Sequence, residues 1–137
     1  MKNIRYLVFV FFFTSFLSII AHAGEAPMRV DGATTVDAAA AKALFDEGAL
    51  FVDPRRESEF EAGRIPDAVS IELKKKFNEE SLAAEAKKDE AMVFYCNGPK
   101  CPRSAKAASK AVSWGYSKVY YFRDGFPAWK AAGYPVE

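Results

Sequence analysis

The residues best suited to chemistry lie in one short stretch, Cys96-Asn97-Gly98-Pro99-Lys100-Cys101-Pro102-Arg103. Before it comes Ala91-Met92-Val93-Phe94-Tyr95, an apolar run of the length expected for a central parallel strand. After it, helix-like sequence runs from about Arg103 to Trp114, with Gly115 as the stop. A thiol held between a strand and a helix meets inward-facing backbone N–H groups and the positive end of the helix dipole. Both favour a thiolate, so such a cysteine is activated without a neighbouring base. Lys100 and Arg103 add positive charge, and Gly98 suits a backbone that turns inward. The loop is therefore a candidate cradle for a nucleophilic Cys96, and equally for a bound anion.

The N-terminus narrows the chemistry. Lys2 and Arg5 precede an apolar stretch from Tyr6 to Ile20, and Ala21-His22-Ala23 supplies the small residues of a cleavage site. This pattern predicts a signal peptide over residues 1–23, export to the periplasm, and no stable membrane insertion after cleavage. His22 is the single histidine of the chain, so cleavage would remove it. A mature chain without histidine cannot run Cys-His or Ser-His-Asp catalysis. Two cysteines fall short of the four ligands of a structural zinc site, so neither a metal nor a cofactor is expected. Loss of Lys2 and Arg5 takes the formal net charge from +1 to −1. No basic face remains to suggest nucleic acid, and Lys74-Lys75-Lys76 reads as solvated surface.

In an exported protein two cysteines also suggest a structural disulfide. Cys96 and Cys101 would close a very small loop, for which chain entropy supplies about 2–3 kcal/mol at best. Placement and loop chemistry favour a reactive Cys96 over a purely structural pair.

The elements that must position this loop alternate. Residues 24–32 form a polar, Gly- and Pro-containing lead expected to be flexible, and residues 33–137 one domain. Strands are expected at Thr34–Val36, Ala49–Asp53, Ala68–Ile71, Ala91–Tyr95 and Val119–Phe122. Helices are expected at Ala38–Glu47 with Asp37 as N-cap, Ser58–Gly63, 78–88, Arg103–Trp114 and Pro127–Ala132. Alternation of this kind implies an α/β fold, a central parallel sheet flanked by helices on both faces. Ligands bind such sheets at the carboxyl ends of the strands, where Asp53 and Cys96 both fall. Trp129, Phe126 and Phe122 read as core.

Three segments in order resemble the rhodanese family, the sulfurtransferase domain. Phe51-Val52-Asp53-Pro54-Arg55 through Glu59-Phe60, then Gly63-Arg64-Ile65-Pro66-Asp67-Ala68, is similar to its first signature. Asp124-Gly125-Phe126-Pro127-Ala128-Trp129, then Gly133-Tyr134-Pro135-Val136, is similar to its C-terminal signature. Between them, Tyr95-Cys96 and Arg103-Ser104-Ala105 resemble the active-site loop and the helix after it. The resemblance implies transfer of a sulfane sulfur from a small anion such as thiosulfate or polysulfide to a thiol or cyanide. Cys96 would carry the sulfur as a persulfide, and the backbone of residues 97–103 would cradle it. Arg103 would orient the donor, while Asp53 and Arg55 would brace the loops below. The loop is longer than is usual in the family, with Arg103 seven positions after Cys96 and Cys101 at the fifth. Cys101 could therefore attack a Cys96 persulfide and release sulfide. Phosphatase-like chemistry, a Cys96/Cys101 dithiol redox role and a non-catalytic binding module are the alternatives.

Overall fold

The computed structural model describes residues 24–137, so the segment read as a signal peptide, with His22, lies outside the described residues. Five parallel strands form one sheet in the order β1-β5-β4-β2-β3. They are β1 (Thr34–Thr35), β2 (Leu50–Asp53), β3 (Val69–Ser70), β4 (Met92–Tyr95) and β5 (Val119–Phe122). The helices are α1 (Ala38–Asp46), α2 (Glu57–Ala62), α3 (Glu79–Ala83), α4 (Arg103–Ser113) and α5 (Gly125–Ala131).

The period-2 alternation of side chains sorts the sheet into two cores. Val52, Met92, Phe94, Val119 and Tyr121 face one layer with Leu82 and the small residues Ala105, Ala107, Ala108 and Ala111 of α4. Phe51, Val93, Tyr95 and Phe122 face the other, with Ala41 of α1 and Phe126 and Trp129 of α5. Helices thus cover both faces, as the alternation of elements predicted. Methyl-sized side chains on the buried face of α4 let that helix lie close on the sheet. β4 sits between β2 and β5 with all four residues buried, which is why its sequence is apolar throughout. Trp129, Phe122 and Phe126 belong to the core.

Most elements fall where the sequence places them, and α1 begins as expected, with Asp37 accepting from the Ala40 N–H at 2.8 Å. Two elements differ. α3 ends at Ala83 rather than near residue 88. The chain beyond it is drawn to residues 114–117 instead: Lys88 Nζ donates to the Trp114 carbonyl at 2.7 Å, and the Ser117 N–H donates to the Lys88 carbonyl at 2.9 Å. Tertiary contacts override helix propensity there. α5 starts at Gly125, two residues before Pro127, which the first turn tolerates because its amides have no intrahelical acceptors.

The segment read as a flexible lead is fastened to the domain from Ala26 onward. Ala26 and Val30 are buried. The Ala26 N–H donates to the Pro99 carbonyl at 2.7 Å. Arg123 Nη2 donates to the Ala26 carbonyl at 3.0 Å, and the Tyr121 hydroxyl to the Pro27 carbonyl at 2.9 Å. Polar composition misled the expectation, because these bonds use backbone groups that composition does not report. No helix among the described residues is long and apolar enough to cross a membrane.

Replacing Arg123 with alanine should loosen this segment while leaving the sheet folded. The Ala26 amide is expected to exchange with solvent at least about fivefold faster, the factor that about 1 kcal/mol for a single lost hydrogen bond implies. Residue-resolved hydrogen exchange reads this directly. Unchanged protection at Ala26 would show that the segment is held by other contacts.

Candidate active site

Cys96 follows the last residue of β4 and is fully buried. The chain then turns sharply. The Cys101 N–H donates to the Gly98 carbonyl at 2.9 Å, closing a β-turn with Pro99 as its second residue, where a fixed φ is favoured. Gly98 adopts φ +112°, a region closed to most side-chain-bearing residues. The turn returns Cys101 to Cys96, and the two sulfurs are joined in a disulfide across a Cα–Cα distance of 6.1 Å. Asn97, Pro99 and Lys100 are exposed on the outer side, Pro102 and Arg103 are half-buried, and α4 begins at Arg103. The first turn of α4 leaves backbone N–H groups without intrahelical acceptors, directed at the loop end of the helix. The Ser104 hydroxyl in that turn is buried without a hydrogen-bond partner.

The residues below the loop form a linked polar chain. Asp53, fully buried at the end of β2, accepts from Arg55 Nε at 2.9 Å and from Arg55 Nη2 at 2.7 Å. The same guanidinium donates from Nη2 to the Gly63 carbonyl at 2.7 Å and from Nη1 to Asn97 Oδ1 at 3.0 Å. Its carbon lies 5.0 Å from the centre of the Phe126 ring and 5.6 Å from that of Tyr95, close enough for cation–π attraction. Burial acts to lower the Arg55 pKa, but the hydrogen bonds and charge of Asp53 outweigh it and raise it above the ordinary arginine value. The bracing role inferred for Asp53 and Arg55 thus has a geometry: one guanidinium ties β2, the end of α2 and the loop together.

Glu59 is the residue that reasoning from sequence passed over. It sits in the first turn of α2, where it accepts from the Arg56 N–H at 3.0 Å, the reciprocal contact of a capping box. It also accepts from Asn97 Nδ2 at 2.6 Å, from Arg103 Nη1 at 2.8 Å and from Arg103 Nη2 at 3.3 Å. The hydrogen bond from Arg103 is the main cause that lowers the Glu59 pKa to about 2, with Arg56 and Asn97 assisting against partial burial. Arg103, expected to orient a donor, is held by Glu59 and places Nε 3.2 Å from Cys101 Sγ. Lys100 remains exposed on the turn.

Gly125 was also missed as a site residue. It adopts φ +65°, and a Cβ there would collide with the Cys96 carbonyl oxygen and lie 2.9 Å from the Gly98 nitrogen. The next N–H, that of Phe126, donates to the Cys96 carbonyl at 2.9 Å. The start of α5 therefore clamps the backbone of Cys96. A signal existed in the Asp124-Gly125-Phe126 string, but only the fold shows what the glycine must approach. On the same face of the sheet as Phe126, the Tyr95 hydroxyl accepts from the Ile65 N–H at 3.2 Å, and burial pushes its pKa well above the ordinary tyrosine value.

No group of three or more histidine, cysteine, aspartate or glutamate side chains able to hold a metal is present among the described residues. The arrangement places one cysteine sulfur at a strand end, a helix N-terminus beyond it, and a second sulfur bonded to the first.

Comparison with known proteins gives the same outline. A family model described as the rhodanese-like domain matches residues 37–132. The chain is 34% identical over 97 residues to the thiosulfate sulfurtransferase GlpE of Pseudomonas savastanoi pv. phaseolicola, covering 71% of this chain and 86% of that protein. The crystal structure of the BH2092 protein from Bacillus halodurans superposes with a TM-score of 0.68 at 28% identity, covering 77% of each chain. The human single-domain sulfurtransferase TSTD1 superposes with a TM-score of 0.61 at 25% identity, covering 72% of this chain and 96% of that one.

The depressed pKa of Glu59 fixes a pH window. A carboxylate with a lower pKa in the folded state stabilises the fold above its unfolded value near 4.5, and that contribution is lost as pH falls toward about 2. Glu59→Gln should therefore flatten the acid limb of stability between those values. Urea midpoints measured across that range check this, and parallel pH profiles of variant and parent would refute the assignment.

Proposed function

We propose that this chain, which belongs to the rhodanese-like domain family of sulfurtransferases, moves a sulfane sulfur from thiosulfate or polysulfide to a thiophilic acceptor through a persulfide on Cys96. The carrying observation is the position of Cys96 at the end of the central strand, facing the loop that opens α4. The donor class is supported by the name of the thiosulfate sulfurtransferase it resembles at 34% identity.

With the Cys96–Cys101 bridge reduced, the Cys96 thiolate attacks the outer sulfur of thiosulfate. A new S–S bond forms, the old one breaks with its electron pair on the departing sulfite, and Cys96 is left as a persulfide anion. In the second half-reaction cyanide or a thiolate attacks the outer sulfur, leaves as thiocyanate or a new persulfide, and returns the Cys96 thiolate. The helix N-terminus and the loop amides favour the anionic sulfur at each stage. Lys100 supplies an exposed positive charge for an incoming anion. Arg55, through Asn97, and Gly125, through the Cys96 carbonyl, hold the loop in place.

Phosphatase-like chemistry fits less well. The carboxylate that reaches the loop, Glu59, is held ionised by Arg103 and has no proton to give a leaving group at neutral pH. The proposal includes the periplasm as the site of action, with cleavage after Ala23. Its support is the charge and hydropathy pattern of residues 1–23, together with a disulfide that suits an oxidising compartment.

Two measurements test the reading. Reduced Cys101→Ser protein, which keeps a single thiol in the loop, should gain the mass of one sulfur atom when mixed with thiosulfate or polysulfide, and adding Cys96→Ser should abolish both that gain and thiocyanate formation. Absence of the adduct with every donor would remove the transferase assignment. N-terminal sequencing of the exported protein should begin at Gly24, whereas an intact Met1 would overturn the export assignment.

A further inference from the structure

Cys101 is not needed for the transfer just described, yet the fold places it with care. The Gly98–Cys101 turn returns it to Cys96, it is only 7% exposed, and Arg103 Nε lies 3.2 Å from its sulfur. A guanidinium at that distance stabilises a thiolate, and thiolates are the attacking species in disulfide exchange. The bond between the two sulfurs shows that the Cys101 sulfur reaches Sγ of Cys96 itself, not merely the space beyond it.

We propose that Cys101 is a resolving thiol that gives this protein a second activity, the reduction of thiosulfate to sulfite and sulfide at the expense of a dithiol. The inference rests on the Cys96 persulfide of the preceding section. Cys101 attacks the inner sulfur of that persulfide. The Cys96–Cys101 bond forms, the bond to the outer sulfur breaks, and the outer sulfur departs with the electron pair as hydrosulfide, carrying the Cys101 proton. The outer sulfur is reduced by two electrons and the two cysteine sulfurs are oxidised by two, so the step balances. Its protein product is the bridged loop present in the structure. A small or protein dithiol then reduces the bridge by exchange, becomes a disulfide itself, and returns both cysteines as thiols.

The geometry favours this order over direct attack by an external dithiol. Cys101 is tethered five residues from Cys96, so its effective concentration exceeds that of any dissolved thiol. Arg103 serves here as a positioning residue. Its two amino groups are anchored on Glu59, which leaves Nε directed at the Cys101 sulfur. This gives the Glu59–Arg103 pair a use beyond holding α2 to α4.

A single turnover tests the inference without an external thiol. Protein reduced, freed of reductant and mixed with equimolar thiosulfate should yield sulfite and sulfide in equal amounts. Its mass should then be lower than that of the reduced chain by two hydrogens. Cys101→Ser should yield sulfite but no sulfide and should retain the mass of one extra sulfur, and Cys101→Ala gives the same readout if serine disturbs the turn. Wild-type protein that forms sulfite and keeps its persulfide, with no sulfide, would overturn the resolving role while leaving the transferase reading intact. Equal sulfide release from the wild type and both Cys101 variants would overturn it as well. Absence of sulfite from the wild type would overturn the reduction proposed here by removing thiosulfate as a donor, while absence of a sulfur adduct with polysulfide as well would sink the transferase reading itself.

Discussion

The end of the sheet that carries Cys96 depends on one buried guanidinium. Arg55 is 3% exposed and would be costly to bury alone. It is tolerated because Asp53, fully buried beside it, takes two of its donors, and because Gly63 and Asn97 take one more each. Removing one partner of such a pair typically costs about 3–5 kcal/mol, since the charge left behind stays buried. Asp53 and Gly63 lie close to Arg55 in the chain, but Asn97 is 42 residues away, so the guanidinium fixes the loop against β2 and α2 in a relation that hydrophobic packing leaves loose. Asn97 then passes the constraint to Glu59, and Glu59 to Arg103 at the head of α4. The loop is thus fastened on both sides by charge-assisted hydrogen bonds, the stronger kind.

Backbone contacts complete the enclosure. Phe126 donates to the Cys96 carbonyl, and Ala26 to that of Pro99. Polar side chains hold the loop from below, while main-chain groups from α5 and from the segment before β1 hold it from the flanks. A thiol activated only by backbone dipoles needs those dipoles kept still, because their effect falls off within the first turn of the helix. Rigid support of the loop is what such a thiol would require.

Much of this was legible in the sequence. The apolar run ending in Cys96 identified the central strand, and the alternation of strands with helices identified the sheet. Asp37 marked a helix start because an N-cap is a local event. The contacts of Glu59 were not legible, since a carboxylate in an amphipathic turn looks like any solvated charge until Arg103 arrives from residues 44 positions later. Gly125 needed the position of Cys96 before its missing Cβ had meaning. The lead was misread because its attachments run through carbonyl and amide groups that every residue carries. α3 was overextended because Ala- and Glu-rich composition favours a helix that contacts with residues 114–117 cut short.

The order of the strands has a consequence for how the protein behaves in a crowd. The two edges of the sheet are β1 and β3, and each is only two residues long. The longer, mostly apolar strands, four residues each, are β2, β4 and β5, and each is paired on both sides. An exposed edge is a template for aggregation, and very short edge strands are one way to blunt it. Once folded, this sheet offers almost no unpaired ladder to neighbouring chains among the described residues, so strand-to-strand association through it would have to begin before it closes.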